Sequence, residues 1–157
     1  VTDEARRVEL VQAAYEAWIN DSYWLVMPYK LKDSGVTLGF VGFREMEDGR
    51  GADVIELTFD GVGVTPDNKY HVYVATDNGL VGQWDFFLLA DDTEPRFKIP
   101  WRYWTRHGQI MLSGDRGRSQ LTDIAVFDET PLDLYDPLPV TSAELSASAR
   151  GGAESGG

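Results

Sequence analysis

The residue pair best suited to catalysis is His71 and Asp85, which a predicted β-hairpin over residues 69–89 places opposite each other. An imidazole oriented by a carboxylate can act as a general base. No serine in an elbow-type sequence context accompanies the pair. We therefore interpret it as an exposed cross-strand pair, and a hydrolase is the weakest of our hypotheses.

The other polar clusters offer less chemistry. The chain has no cysteine, which excludes disulfides, thiolate catalysis and Cys-ligated metal. Residues 60–68 lack the alternating acidic positions of a calcium loop, and the Gly61-x-Gly63 segment does not precede a helix as a dinucleotide fingerprint does. The sequence therefore predicts no metal, no cofactor and no enzymatic activity.

Aromatic side chains are more informative, and the register of the hairpin decides where they lie. A three-residue loop with Gly79 in the left-handed position pairs Tyr70 with Phe86 and Val72 with Trp84, which leaves one face apolar. A two-residue loop mixes both faces, so the pattern favours the longer loop. The opposite face is then polar and carries Lys69, His71, Tyr73, Gln83 and Asp85.

A large aromatic area on a sheet with one covering helix indicates a hydrophobic cavity, with an ordinary packed core as the alternative. The predicted lining residues on strands are Phe59, Tyr70, Val72, Trp84, Phe86, Trp101 and Tyr103, and those at the rim are Trp24 and Met27. Three arginines could meet an anionic head group at its mouth, namely Arg44, Arg102 and Arg106.

One helix and about seven strands are expected to position these residues. Apolar residues recur at helical spacing over residues 3–20, in a stripe formed by Val8, Val11, Ala14, Tyr15, Trp18 and Ile19. Residues 23–29 contain Pro28, which argues against a central strand, and are predicted to be a buried connector that is either partly extended or a short helix. The predicted strands cover 36–46, 53–59, the two arms of the hairpin, 97–106, and a final pair over 109–113 and 121–128.

The helix is too short to cover such a sheet. At ~1.5 Å per residue it is ~27 Å long, which spans two or three strands at ~4.8 Å spacing. We therefore predict an α+β, mostly β fold, in which a bent antiparallel meander carries the N-terminal helix on its concave face.

Composition sets the remaining limits. The net charge of −12 disfavours nucleic acid and anionic membrane surfaces as partners. No apolar stretch is long enough for a transmembrane segment. We expect one domain over residues 1–139 and a disordered tail, rich in Ala, Ser and Gly, over 140–157.

Five segments carry a resemblance to a known family: AWINDSYWL at 17–25, PYKL at 28–31, VIELTF at 54–59, TPDNKY at 65–70 and GQIMLS at 108–113. They resemble a bacterial family of unknown function in the LolA/LolB-like superfamily, related to outer-membrane lipoprotein sorting. The resemblance spans about residues 15–127. It implies a half-barrel whose concave face is plugged by helices.

Characterised members of that superfamily carry lipoprotein acyl chains across the periplasm. Members usually have further strands and a helix before this region, so the chain resembles an N-terminally shortened example, and it has no lipobox cysteine. The resemblance implies a non-enzymatic periplasmic or envelope protein that binds a lipid acyl chain or other hydrophobic small molecule, with another envelope protein as a possible partner. The alternative is a structural or protein-interaction module with a fully packed core.

Overall fold

The computed structural model of the chain describes residues 3–129. Those residues divide after Ala125 into two units, and every helix and strand lies in the first. The predicted domain limit at residue 139 and the predicted tail over 140–157 lie outside the described residues. Within residues 3–129 the fold is α+β and mostly antiparallel sheet, with one N-terminal helix and a sheet that does not close.

The helix, α1, runs from Asp3 to Lys30 and is ten residues longer than the sequence predicts. The predicted connector at 23–29 is helical, which was one of its two predicted forms, but it continues α1 instead of following a helix that ends at residue 20. Pro28 has no N–H to donate to the carbonyl of Trp24 one turn earlier. The Arg116 guanidinium donates to that carbonyl instead, which explains why the helix continues through the proline.

Only the C-terminal part of α1 packs against the sheet. Every residue from Asp3 to Trp18 is exposed, and Met27 is the one fully buried residue of the described helix. Val11 and Trp18 of the predicted stripe are 64% and 66% exposed. The apolar stripe expected to cover the concave face therefore faces solvent, and the former connector does the covering.

Seven strands form two antiparallel sheets. Five make a meander in the order β1 (Val36–Glu45), β2 (Gly51–Phe59), β3 (Lys69–Ala75), β4 (Val81–Phe87) and β5 (Phe97–Pro100). The other two, β6 (Arg102–His107) and β7 (Ile110–Asp115), form a separate two-stranded sheet, and Asp115 makes a further isolated bridge with Gln120. A bulge between Phe40 and Gly42 interrupts the pairing of β1 with β2.

The predicted hairpin register is confirmed in the middle of β3 and β4. Tyr70 pairs with Phe86, and Val72 pairs with Trp84. The turn differs from the prediction, because Gly79 N donates to Ala75 O and Ala75 N donates to Leu80 O, each at 2.8 Å. A bulge near Gly82 then restores the predicted register. Gly79 has φ +71°, the left-handed conformation that the sequence predicts.

The single strand predicted over 97–106 is two strands in different sheets. Pro100 ends β5, and the Trp101 N–H bonds to Gly82 O at 2.9 Å before the chain enters β6. The strand partner of β7 is β6 rather than the later segment predicted for it. Residues 121–128 form no strand, so the predicted pair over 109–113 and 121–128 was wrong.

The main core lies between the sheet and the C-terminal part of α1. Its buried members are Met27, Leu57, Tyr70, Val72, Val81, Trp84 and Trp101. The Trp104 indole donates to Val81 O at 2.8 Å, and the Tyr29 hydroxyl donates to Met111 O at 2.7 Å. These bonds attach the β6–β7 pair to both the main sheet and the helix.

Candidate functional site

Trp84 on β4 is the centre of an aromatic cluster. Its indole is stacked with Trp24 of α1, with centroids 5.3 Å apart, and with Trp101, with centroids 5.5 Å apart. Tyr23 and Tyr70 present ring edges to it at 5.8 and 4.4 Å. Such edge and offset contacts stabilise packing beyond the area they bury, so Trp84 is held firmly in one place.

A cleft of about 260 Å³ opens beside this cluster, between α1, the apolar sheet face and the loop from β2 to β3. Five of the nine residues predicted to line a cavity lie around it: Trp24, Phe59, Tyr70, Trp84 and Phe86. Other lining residues include Ile19, Tyr23, Val62, Val64 and Phe97. The cleft is slightly smaller than the ~300–1,000 Å³ typical of ligand sites.

The four remaining predicted residues do not line this cleft. Met27, Val72 and Trp101 are fully buried in the core beneath it. Tyr103 lies in β6, is 76% exposed and has φ +54°. The prediction that placed it on the inward phase of one long strand was wrong, because the chain changes sheets at Trp101.

Sequence reasoning missed the helix and loop side of the cleft. Ile19 and Tyr23 lie one turn apart on α1, with Trp24 next to them. The sequence places these three residues on one helix face only if the helix continues past Asn20. Val62 and Val64 belong to a loop of the β2–β3 connection that carries no periodic signal. Treating residues 23–29 as a connector concealed this wall.

Two polar atoms on lining residues have no hydrogen-bond partner among the described residues, the Tyr23 hydroxyl and Trp84 Nε1. Burial, with the nearby Tyr70 as a smaller cause, raises the pKa of Tyr23 well above its usual range. Tyr23 is therefore a neutral donor at ordinary pH. Both atoms are shielded from solvent, so these donors belong to the packed aromatic cluster rather than to the open surface of the cleft.

A second, larger cleft of about 940 Å³ lies next to the first. Asn20, Trp24 and Phe97 line both clefts and form the wall between them. The second cleft is lined by four cationic residues, Lys98, Arg102, Arg116 and Arg118. Of the three arginines predicted at a cavity mouth, only Arg102 lies here.

Arg116 is the buried cation of this cleft and is only 4% exposed. Its two terminal nitrogens donate to Ser113 Oγ and to three carbonyls, those of Trp24, Ser113 and Asp115. The guanidinium also lies over the Trp101 ring, 3.4 Å from its centroid. Burial lowers the pKa of Arg116 to about 10, so it remains charged at neutral pH.

The polar face of the hairpin is buried, contrary to prediction. His71, Gln83 and Asp85 are 8%, 4% and 2% exposed. The Asp85 carboxylate accepts from the Tyr73 hydroxyl at 2.9 Å and from Gln83 Nε2 at 2.7 Å. These side chains are therefore buried and hydrogen-bonded, where the sequence indicated a solvated surface.

His71 and Asp85 are opposite each other in the register, as predicted. The His71 Nε2 lies 3.4 Å from a Glu56 carboxylate oxygen, and its ring contacts Phe87 edge-on. Its Nδ1 is buried and has no partner among the described residues. Burial lowers the pKa of His71, against an opposing effect of Glu56. Neither His71 nor Asp85 lines the two clefts, so the pair has no substrate space beside it there.

Two further absences concern residues 3–129 alone. No group of three or more His, Cys, Asp or Glu side chains gathers there in a way that could hold a metal ion. No helix in this part of the chain combines the length and apolar character that crossing a bilayer requires.

Three comparisons, with protein-family models, with curated proteins and with solved structures, each give no match. The resemblance to the LolA/LolB-like superfamily therefore stays a prediction. Any functional conclusion has to depend on the two clefts and their lining residues.

Proposed function

We propose that this chain is a non-enzymatic cell-envelope protein that binds a lipid acyl chain or another hydrophobic molecule in the smaller cleft. The observation that carries the proposal is the aromatic wall of that cleft, where Trp24, Phe59 and Phe86 surround about 260 Å³ of space. The five-stranded sheet, on this proposal, is a LolA-like half-barrel with α1 on its concave face. The periplasmic or envelope location is inferred from the resemblance.

The size of the cleft bounds the affinity. One water occupies ~30 Å³ in the liquid, so 260 Å³ holds roughly eight groups of methylene size. Each buried methylene contributes ~0.8 kcal/mol, which gives about 6 kcal/mol and a Kd on the order of 10–100 µM. This fits a carrier that must release its cargo, and a longer chain would extend out of the cleft.

The test is a titration with a dansyl-labelled fatty acid, together with native mass spectrometry of gently purified protein. Ile19→Glu places a charge on the wall of the cleft and is expected to weaken binding at least tenfold, since an unpaired carboxylate there opposes an apolar occupant. Val11→Glu is the matched control, because Val11 lies on the same helix, also β-branched, but 64% exposed and away from the cleft.

The wild-type protein should bind the probe, and Val11→Glu should bind it equally well. A wild-type protein that carries no co-purified lipid and leaves the probe unbound up to its solubility limit would contradict the proposal. Equal binding by the Ile19→Glu variant would also contradict it, because the ligand would then lie elsewhere.

A specific observation favours a second function, that of a protein-interaction module. Among the described strands, β1 pairs with β2 alone, and it exposes large apolar side chains, with Phe40 and Phe43 at 72% and 66%. Exposed apolar patches and unpaired strand edges are typical of interaction surfaces. This function predicts that light scattering detects a stable dimer or complex. Phe40→Glu should dissociate it. Leu89→Glu, which changes an exposed leucine in a loop, is the control and should leave it intact.

A further inference from the structure

The larger cleft concentrates positive charge in an acidic protein. Four of the chain's fourteen Lys and Arg residues line it, and among the described residues Asp21 is the one acidic residue on its wall. Within residues 3–129, none of the four cations forms an ion pair within 4.0 Å. The described lining of the cleft therefore carries an excess of positive charge.

Arg116 makes this excess of positive charge more significant, because its charge is buried. In the part of the chain that the structure describes, its four hydrogen-bond acceptors are neutral oxygens and its Nε has no partner. The neighbouring Asp115 carboxylate accepts from the Gly117 N–H at 2.6 Å and does not reach the guanidinium within ion-pair distance. The charge of Asp115 favours the ionised guanidinium, but burial outweighs that effect and lowers the pKa of Arg116. A buried charge without an ion-pair partner is unfavourable, and an anion in the cleft would reduce that cost.

The position of the cleft indicates what kind of anion it takes. It shares the wall of Asn20, Trp24 and Phe97 with the apolar cleft, so a molecule passing over Trp24 would meet aromatic rings on one side and cations on the other. Lys98, Arg102 and Arg118 line the larger cleft and are exposed, so they can bind a carboxylate or phosphate, the partners that guanidinium groups bind best.

We propose that the larger cleft binds the anionic head group, a carboxylate or phosphate, of an amphiphile whose hydrocarbon chain occupies the smaller cleft. This inference rests on the proposed function and specifies its ligand class. Arg116 supplies a fixed buried charge, and the three exposed cations supply hydrogen bonds to the head group.

The experiment compares three probes, decanoate, decanol and inorganic phosphate, by calorimetry on the full chain. Wild type should bind decanoate at least about tenfold more tightly than decanol, a difference of ~1.4 kcal/mol. The charge reversal Lys98→Glu with Arg118→Glu should abolish that preference while leaving decanol binding unchanged. Its control is Lys32→Glu with Arg106→Glu, which changes the net charge equally at two exposed cations outside both clefts and should keep the preference.

The possible failures are distinguishable. Equal affinity for decanoate and decanol would overturn the head-group site and leave the proposed function standing. Binding of neither amphiphile would overturn both. Phosphate binding that the double reversal abolishes, without a preference for decanoate over decanol, would show a site for a free anion and overturn the link between the clefts.

Discussion

Which part of α1 stabilises the fold can be tested by two alanine substitutions on the same helix. Met27 is fully buried in the main core, whereas Val11 is 64% exposed in the stripe that the sequence placed against the sheet. Met27→Ala removes three side-chain heavy atoms. At ~0.8 kcal/mol per buried methylene the loss of transfer energy is about 2.4 kcal/mol, and the remaining cavity increases the cost to ~3–4 kcal/mol.

Val11→Ala is expected to have the opposite sign. No buried contact is lost, and alanine has the better helix propensity by a few tenths of a kcal/mol. The free energy of unfolding should therefore stay unchanged or rise by up to ~0.5 kcal/mol.

Urea denaturation followed by tryptophan fluorescence and by circular dichroism measures both effects. The slope of the free energy against urea should be the same in all three proteins, so that the midpoints report stability alone. If Val11→Ala lowers the free energy of unfolding by more than about 1 kcal/mol, the stripe packs in solution. If Met27→Ala lowers it by less than about 1 kcal/mol, Met27 is not a core residue. Either result would refute the reasoning.

Three further predictions concern single residues. Arg116→Lys should lower the free energy of unfolding by about 2 kcal/mol or more, measured by urea denaturation, because one ammonium cannot reach both the Trp24 carbonyl and Ser113. Burial lowers the pKa of His71, so the imidazole is protonated at higher pH in the unfolded chain than in the folded one. The free energy of unfolding should therefore fall as the pH drops below ~6.5. In urea denaturation at a series of pH values, His71→Phe should show a smaller fall over this pH range. Gly79→Ala should cost ~1 kcal/mol in thermal unfolding and Gly79→Asn less, since Gly79 has φ +71° and asparagine tolerates that conformation better.

Local patterns predicted the strands and the hairpin register well. Alternation places His71 opposite Asp85 and Val72 opposite Trp84, and the structure has both pairs. Period two also assigns Tyr70, Trp84 and Phe86 to one face, and these residues lie around one cleft. Such inferences succeed because neighbouring positions along a strand and across a tight turn are fixed by geometry over a few residues.

The errors involve partners that are distant in sequence. Pro28 signals the end of a helix, but the Trp24 carbonyl that it leaves free is satisfied by Arg116, 92 residues later. Alternation assigns His71 and Asp85 to a polar face without showing that Glu56 and Phe87 enclose it. The cationic cleft was missed for the same reason, since Lys98 and Arg118 meet only after β6 and β7 fold back.

The stacking of Trp24, Trp84 and Trp101 gives the protein an internal optical probe. Near-parallel indoles about 5.3–5.5 Å apart are close enough for their electronic transitions to couple, which produces a split signal in the ultraviolet circular dichroism spectrum. Trp24 lies on the helix and Trp84 on the sheet, so the coupling depends on how α1 packs against β4. Any event that shifts α1 against β4, including occupation of either cleft, should change that signal without a label.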